Sequence, residues 1–554
     1  MAGAAPVAAA LGRMWEERLP RLDATGAQVA ITDRSGLLAS VVLGAADRCG
    51  APLSPETRFQ IGSISKSFAA LLALQEAEAG RLDLGAPVRR YLPWFEVPSR
   101  FAPIQVHHLL SHTSGLAQGT EFAGDARAAL LLLRETDAGF APGERFLYSN
   151  DGYKAVGLVL EEVAGRPYPE LLRGRVLEPL GMVRSEPAIT LEGRAGSAPG
   201  HRQLFDDRPV HPSQPLVEAP WVPSSTADGS ALSTGEDLCA FARALLSGGR
   251  APGSRPLVSE AALTRMLEPR AVDPEEPEAP YGFGIRTWRE EGRRHAGHTG
   301  SMLGHVGRLA VDLEAGVGVA VLLNGGSDRD RLARDELCRF ALRAAAALAE
   351  GAEPPPPPPP PPADLVPGAE AFAGRYRAEG GGGELELVAR GERLVLRWEG
   401  SEVPLEPLAP SRLLPGHRAP EALLAPLAGL DRFAFRFGRD AAGRVVEVFH
   451  GPGWFRRSDH RGSPPPGPDP SWGAFVGDYR SPNPWAPAFS VVLRKGRLAM
   501  IAPWLERDEE VVPLPDGRFR VGASWSPDRL RFEDVVGGEA RRAVFDGAPW
   551  FRAG

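Results

Sequence analysis

The sequence predicts an α+β protein: an antiparallel sheet flanked by helices with a helical subdomain beside it, followed by two small antiparallel β-barrel domains. Three observations predict it. Alternating apolar stretches lie near both ends of residues 1–350 and bracket a long, mostly helical middle. Two proline-rich stretches divide the remaining residues into segments of similar size. Those two segments carry one strand pattern twice.

Each element has its own signal. The chain opens with a helix near residues 5–20, then strands near 29–32 and 37–43 that turn at Arg34-Ser35-Gly36. A helical run follows Ser67 and stops at Gly80. Strand patterns return near 306–313 and 317–323, on either side of Glu314-Ala315-Gly316, and a helix over 329–349 closes the unit. Strands at both ends with helices between them imply one sheet completed from both sides of the chain.

Residues 354–362 are nine consecutive prolines, a polyproline II spacer of about 28 Å at ~3.1 Å per residue. The second proline-rich stretch covers 463–470. The expected domains are therefore 1–350, a linker at 351–367, a barrel at 368–460, a linker at 461–470 and a second barrel at 471–554. The barrels are copies: AFAGRYR at 371–377 recurs as AFVGDYR at 474–480, and VFHGPGWFR ending at Arg456 recurs as VFDGAPWFR ending at Arg552. Leu385 and Leu387, then Leu394, Leu396 and Trp398, alternate across Gly391; Val491 and Leu493, then Leu498 and Met500, do so across Gly496. Lys495 reads as a solvated turn residue.

Composition narrows the function. The 554 residues carry net charge −7 and a pI near 6.0, with no basic block, which argues against nucleic acid and anionic membrane surfaces as partners. No apolar run reaches the ~18–20 residues of a membrane span. The N-terminal stretch lacks a basic n-region, so a cytoplasmic location is expected. Cys49, Cys239 and Cys338 read as free thiols, and the 11 histidines form no cluster at ligand spacing. No metal and no cofactor is expected. The partner is a small-molecule or peptide substrate, and a homo-oligomer stays open.

Lysine usage is informative. Only Lys66, Lys154 and Lys495 are lysines among 63 basic residues. A lysine kept where arginine serves elsewhere raises the question of deprotonation, which a guanidinium does not undergo near neutrality. Lys66 follows Ser63 by three residues at the start of the helical run, so both lie on one face. A serine hydroxyl becomes a nucleophile when a neighbouring base takes its proton, and a helix N-terminus supplies N–H groups where an oxyanion would form. The same spacing also fits a plain N-cap beside a solvated lysine. Tyr148-Ser149-Asn150 offers a phenol for proton relay and an amide that can hold a lysine and a carbonyl. Lys154 reads as a residue on the following helix surface. His295 and His298 both precede x-Gly; three apart on a strand, they point to opposite faces.

Ser63-Ile64-Ser65-Lys66, Tyr148-Ser149-Asn150 and His298-Thr299-Gly300, in that order, resemble the three-motif set of the serine β-lactamase and penicillin-binding-protein superfamily. The Tyr-Ser-Asn form is similar to the class C branch with its D-aminopeptidases and esterases (peptidase family S12). Leu109-Leu110-Ser111-His112-Thr113-Ser114-Gly115-Leu116 and Tyr281-Gly282-Phe283-Gly284 match its flanking phrases. The paired barrels resemble the lipocalin-like repeats of the D-aminopeptidase architecture, in which one barrel sends a loop towards the site.

This resemblance implies Ser63 as nucleophile, Lys66 as its base, Tyr148 as proton shuttle and Asn150 as positioner of lysine and substrate. It implies an oxyanion hole from the backbone N–H groups of Ser63 and Ser301, with Thr299 and Gly300 lining the substrate strand. His298 would bond the tyrosine or substrate, while His112 belongs to a structural phrase. Lysine is usual where His298 stands, so capture of a substrate carboxylate is expected to be weak. The implied activity is hydrolysis of small esters or peptide amides, D-amino-acid-containing ones included. The alternatives are an acyltransferase or peptide macrocyclase using the same site, and a catalytically silent binding protein.

Overall fold

The computed structural model describes residues 4–554 except 120, 123, 251–255, 361, 363, 380–382, 409–421, 461, 463–466 and 506. Pro361 of the first proline run and Ser463, Pro464, Pro465 and Pro466 of the second thus lie outside the described residues. The chain divides into two units, Met1–Arg202 with Val217–Pro359, and Gln203–Leu216 with Pro360–Gly554.

The first unit is built on a six-stranded antiparallel sheet in the order Leu37–Gly44, Gly26–Asp33, Val317–Leu323, His305–Asp312, Arg293–Met302, Arg286–Glu290. Both ends of the unit complete it: Gly26–Asp33 pairs with Val317–Leu323 in a register that sets Val29 opposite Val321. Every residue of Val317–Leu323 is buried, because the sheet is covered on both faces. Val317, Val319, Val321 and Leu323 join helices Ala4–Arg18 and Asp328–Ala349 in one core. Ala320 and Leu322 join helices Ser65–Glu78 and Gly235–Leu246 in the other. Helix Ser65–Glu78 is buried on every side from Ser65 to Leu74, the mark of a helix inside a core. It ends at Gly80, whose φ of +71° is the left-handed conformation glycine takes readily.

The second unit holds two closed eight-stranded barrels of up-and-down order. The first runs from Gly374–Ala378 to Gly453–Arg457 and the second from Gly477–Arg480 to Ala548–Arg552, each closing by pairing its last strand with its first. Shared ancestry persists in the interior: Tyr376 donates to the Phe372 carbonyl at 2.7 Å, and Tyr479 to the Phe475 carbonyl at 2.8 Å. Gln203–Leu216, a segment expected inside the first domain, groups with the barrels; Arg208 pairs with Asp431 at 3.0 Å and Asp206 with Arg480 at 2.5 Å.

The closing hairpins of the two copies differ by one residue. In the first barrel His450 pairs with Gly453, so the turn is Gly451-Pro452; in the second Phe545 pairs with Ala548, so it is Asp546-Gly547. Turn chemistry explains the shift. Asp546 and Gly547 both have positive φ, a type I′ pattern, whereas Gly451 is positive and Pro452 cannot be, which fits type II′. Since side chains alternate across a strand, a one-residue slip exchanges the faces. Trp550 is fully buried in the second core, while its sequence counterpart Trp454, also buried, faces away from the first core and donates to Glu447 at 3.0 Å. Phe455 packs on the first core, while Phe551 is 53% exposed. Lys495 is half exposed on its turn, in line with its sequence setting, and it also bonds Glu447 of the first barrel at 2.8 Å.

Among the described residues no helix is long and apolar enough to cross a membrane. The register difference gives a direct test by urea denaturation. Phe455→Ala is expected to cost about 2 kcal/mol or more, whereas Phe551→Ala should stay within about 0.5 kcal/mol of wild type. Equal losses would show that the hairpins share one register.

Candidate active site

Ser63 sits in a 3₁₀ turn, Gly62–Ile64, that leads directly into helix Ser65–Glu78. Lys66 is one turn on and fully buried. Its Nζ lies 3.0 Å from Ser63 Oγ, 2.8 Å from Asn150 Oδ1 and 2.6 Å from the Asp228 carbonyl oxygen. Two of these three partners are carbonyl oxygens, which only accept; the third is a hydroxyl, which can also donate. None is a carboxylate. Lys66 is thus held by hydrogen bonds to two carbonyls and the serine hydroxyl, without an ion pair among the three.

Lys154 is the contrasting case. It is buried rather than on the helix surface, because Asp151 Oδ1 at 3.0 Å and Glu121 Oε2 at 2.8 Å draw it inward. Burial pulls its ammonium down, but Asp151 and Glu121 outweigh burial and hold it charged. Asp151 is pushed up to about 6 by its own burial.

Asn150 and Tyr148 come from the start of helix Asn150–Ala164. Ser149 caps that helix, its Oγ accepting the Gly152 N–H at 3.0 Å and donating to the Ala117 carbonyl at 2.6 Å. The Asn150 N–H donates to the Gln118 carbonyl at 2.8 Å, fixing the first helical residue beside Lys66. The Tyr148 ring centroid lies 4.9 Å from Lys66 Nζ.

The third wall is strand Arg293–Met302. Its outer neighbour Arg286–Glu290 pairs only as far as Gly297, so the strand beyond Gly297 has an edge left for the serine turn. Two glycines bring them together. A Cβ on Gly300 would lie 1.8 Å from the Ile61 carbonyl oxygen, and one on Gly62 would lie 2.6 Å from the Ser301 nitrogen. Gly62 has φ of +53°, which suits glycine for a second reason. The Ser301 backbone thereby abuts the Ser63 turn, with Thr299 and Gly300 leading up to it.

His298 and His295 do point to opposite faces. His295 stacks on Trp288 with centroids 5.4 Å apart, away from the site. The His298 Nδ1–H donates to the Thr299 carbonyl at 2.5 Å, which leaves Nε2 to accept the Tyr281 hydroxyl at 2.8 Å. Its partner is thus Tyr281 rather than Tyr148. Burial foremost pulls the ring down to about 3, so His298 is neutral near pH 7. Ser63, Lys66 and Asn150 are joined by hydrogen bonds, Tyr148 flanks the lysine, and Ser301 abuts the turn. The Asp228 carbonyl gave no sequence signal, since any residue offers one. Tyr281 belongs to a stretch that in the sequence only flanks the motifs. Among the described residues no His, Cys, Asp and Glu side chains gather to hold a metal ion.

Comparison with known proteins identifies the family. Residues 12–343 match the family described as Beta-lactamase. Penicillin-binding protein 4 of Amycolatopsis lactamdurans is 30% identical over 66% of this chain and 98% of its own. Esterase EstB of Burkholderia gladioli is 34% identical over 32% of this chain and 51% of its own. The octameric penicillin-binding protein homologue from Pyrococcus abyssi superposes with a TM-score of 0.58 at 24% identity, over 82% of this chain and 99% of that one. D-amino acid amidase from Ochrobactrum anthropi superposes at 0.51 and 23% identity, over 62% and 99%. The last two likenesses establish the fold. The chain belongs to the β-lactamase family, a family of serine hydrolases.

The close approach at Gly300 and the buried histidines each carry a prediction. Gly300→Ala is expected to slow covalent labelling by an activated ester at least ~100-fold, because it forces the strand off the serine turn. Gly12→Ala, with open space around it, should label like wild type; equal labelling of both would contradict the close approach. The second prediction concerns pH. Burial lowers His305 to about 4 and His298 to about 3, so the unfolded chain takes up these protons near pH 6.5 and the folded protein does not. The stability due to the neutral rings is complete above about 6.5 and is lost as the pH falls towards 4. His305→Asn should therefore flatten the decline of thermal midpoint between pH 6 and 4.5, and an unchanged slope would refute this.

Proposed function

We propose that the protein hydrolyses small esters and peptide amides through an acyl-enzyme on Ser63. The observation that carries this reading is the partner set of Lys66: two carbonyl oxygens and the Ser63 hydroxyl, with no carboxylate. Ser63 Oγ attacks the substrate carbonyl while its proton passes to Lys66. The oxyanion is received by the backbone N–H groups of Ser63 and Ser301. The proton moves by way of Tyr148 to the leaving group, which departs as an amine or alcohol. Water then attacks the acyl-enzyme with the same groups acting in reverse, returning the proton to Ser63 and releasing the acid. Asn150 holds Lys66 in line and offers its amide to the substrate.

His298 narrows the substrates. A buried neutral ring committed to Tyr281 and Thr299 supplies no fixed charge for a carboxylate, which argues for esters and amides rather than D-Ala-D-Ala-type termini. The esterase among the relatives supports this class. A D-residue on the acyl side is the finer expectation, from the resemblance to D-aminopeptidases with paired barrels and from the D-amino acid amidase that shares the fold.

The test is turnover of paired D- and L-aminoacyl p-nitroanilides and of p-nitrophenyl esters by wild type and Ser63→Ala. Ser63→Ala and Lys66→Met are each expected to lose at least ~1,000-fold. Preference for D-aminoacyl amides would establish the acyl specificity. Full activity in Ser63→Ala would end the proposal.

A further inference from the structure

His112 is bound to both residues that flank Tyr148. Its carbonyl accepts the Leu147 N–H at 2.8 Å, and its ring Nδ1 accepts the Ser149 N–H at 3.1 Å. Between these two bonds its imidazole lies against the Tyr148 ring, with centroids 4.1 Å apart and planes inclined by 32°. Three contacts from one residue thus bracket one side chain.

The conformation of His112 makes this arrangement notable. Its φ is +56°, a left-handed backbone that costs about 1 kcal/mol or more in a non-glycine residue. The ring is fully buried. Because a backbone N–H can only donate, Nδ1 must be the unprotonated nitrogen, and the proton sits on Nε2. That Nε2 has no hydrogen-bond partner among the described residues; around it are the rings of Tyr148, Tyr153, Tyr281 and Phe146. Burial foremost holds the imidazole well below its ordinary pKa, so Nδ1 stays free to accept. The strained backbone and the unused donor are both accounted for if the ring's task is to face Tyr148.

We propose that His112 is a positioning residue for Tyr148, holding the phenol where it can pass a proton to the leaving group. This rests on the acyl-enzyme reading above. It predicts a selective defect. A p-nitrophenolate leaves without being protonated, whereas an alkylamine leaving from a peptide amide must be. Misplacing the phenol should therefore spare esters of p-nitrophenol and harm alkyl amides, while general damage to the fold, Ser63 or Lys66 would harm both.

The experiment compares kcat/KM for a p-nitrophenyl ester and for an aminoacyl alkylamide of the same acyl group, in wild type, His112→Gly, His112→Asn, Tyr148→Phe and Ser63→Ala. Glycine accepts the positive φ without strain but removes acceptor and ring. Asparagine also tolerates that φ, and its Oδ1 can take the place of Nδ1. His112→Gly is expected to lose about 30-fold or more on the amide and under about 3-fold on the ester, the pattern of Tyr148→Phe. His112→Asn should recover about half of the amide loss on a logarithmic scale. Equal losses on both substrates, or no loss on either, would overturn the positioning role. Turnover by wild type that survives in Ser63→Ala would overturn the acyl-enzyme reading, and the role with it.

Discussion

The buried amine of Lys66 is the constraint around which the first unit is arranged. An ammonium carried into a dry interior is costly unless a carboxylate comes with it. Among the described residues no carboxylate bonds Lys66 and two bond Lys154, on the helix that carries Asn150. The difference decides chemistry. Lys154 is locked as a cation and ties Glu121 to the helix that carries Asn150. Lys66 bonds two carbonyl oxygens and a hydroxyl, the setting that the proposed mechanism uses for its base. Arginine could fill the first role but not the second, which is the physical content of a chain with three lysines among 63 basic residues.

Holding that amine in place requires elements from distant parts of the sequence. Ser63 comes from the 3₁₀ turn before the central helix and Lys66 from that helix's first turn, Asn150 from a second helix start, and the Asp228 carbonyl from the loop before strand Leu232–Ser233. The sheet supplies the last wall, and only glycine at 62 and 300 lets its edge come so near the serine turn. Closing the sheet from both ends fixes that edge, since Arg293–Met302 hangs from His305–Asp312 and hence from the strand that pairs with Gly26–Asp33. The loops around the serine can thus be polar and irregular while the frame behind them is rigid.

Much of this was legible in the sequence for a physical reason. The sheet, the central helix and the closing helix follow from periodicity, while helical spacing sets Ser63 and Lys66 on one face and only the family resemblance implies their roles. What escaped was set by neighbours rather than by local pattern. Lys154 read as a surface residue because its spacing is that of a solvated face; the carboxylate of Glu121 lies 33 residues away. Tyr281 takes the His298 ring by tertiary contact, which no spacing announces. Asp228 acts through its backbone. Gln203–Leu216 leaves its flanking segments because its charges find partners among the barrels, again a matter of neighbours.

The barrels show the opposite failure, in which the local signal was present and alignment concealed it. Matching VFHGPGWFR to VFDGAPWFR places the tryptophans at equal positions, yet Gly-Pro and Asp-Gly demand different two-residue turns, and the turn rather than the homology sets the register. The slip has a consequence beyond packing. In the second barrel the tryptophan fills the interior and donates to the Ala486 carbonyl at 3.0 Å. In the first it faces away from the barrel interior yet stays buried, and with Phe449 it meets Lys495, whose ammonium lies 5.7 Å from the Trp454 ring and is bonded to Glu447. The two barrels share one strand pattern, and a one-residue difference of turn puts their tryptophans on opposite faces of the closing strand, one in a core and one against the other barrel's Lys495.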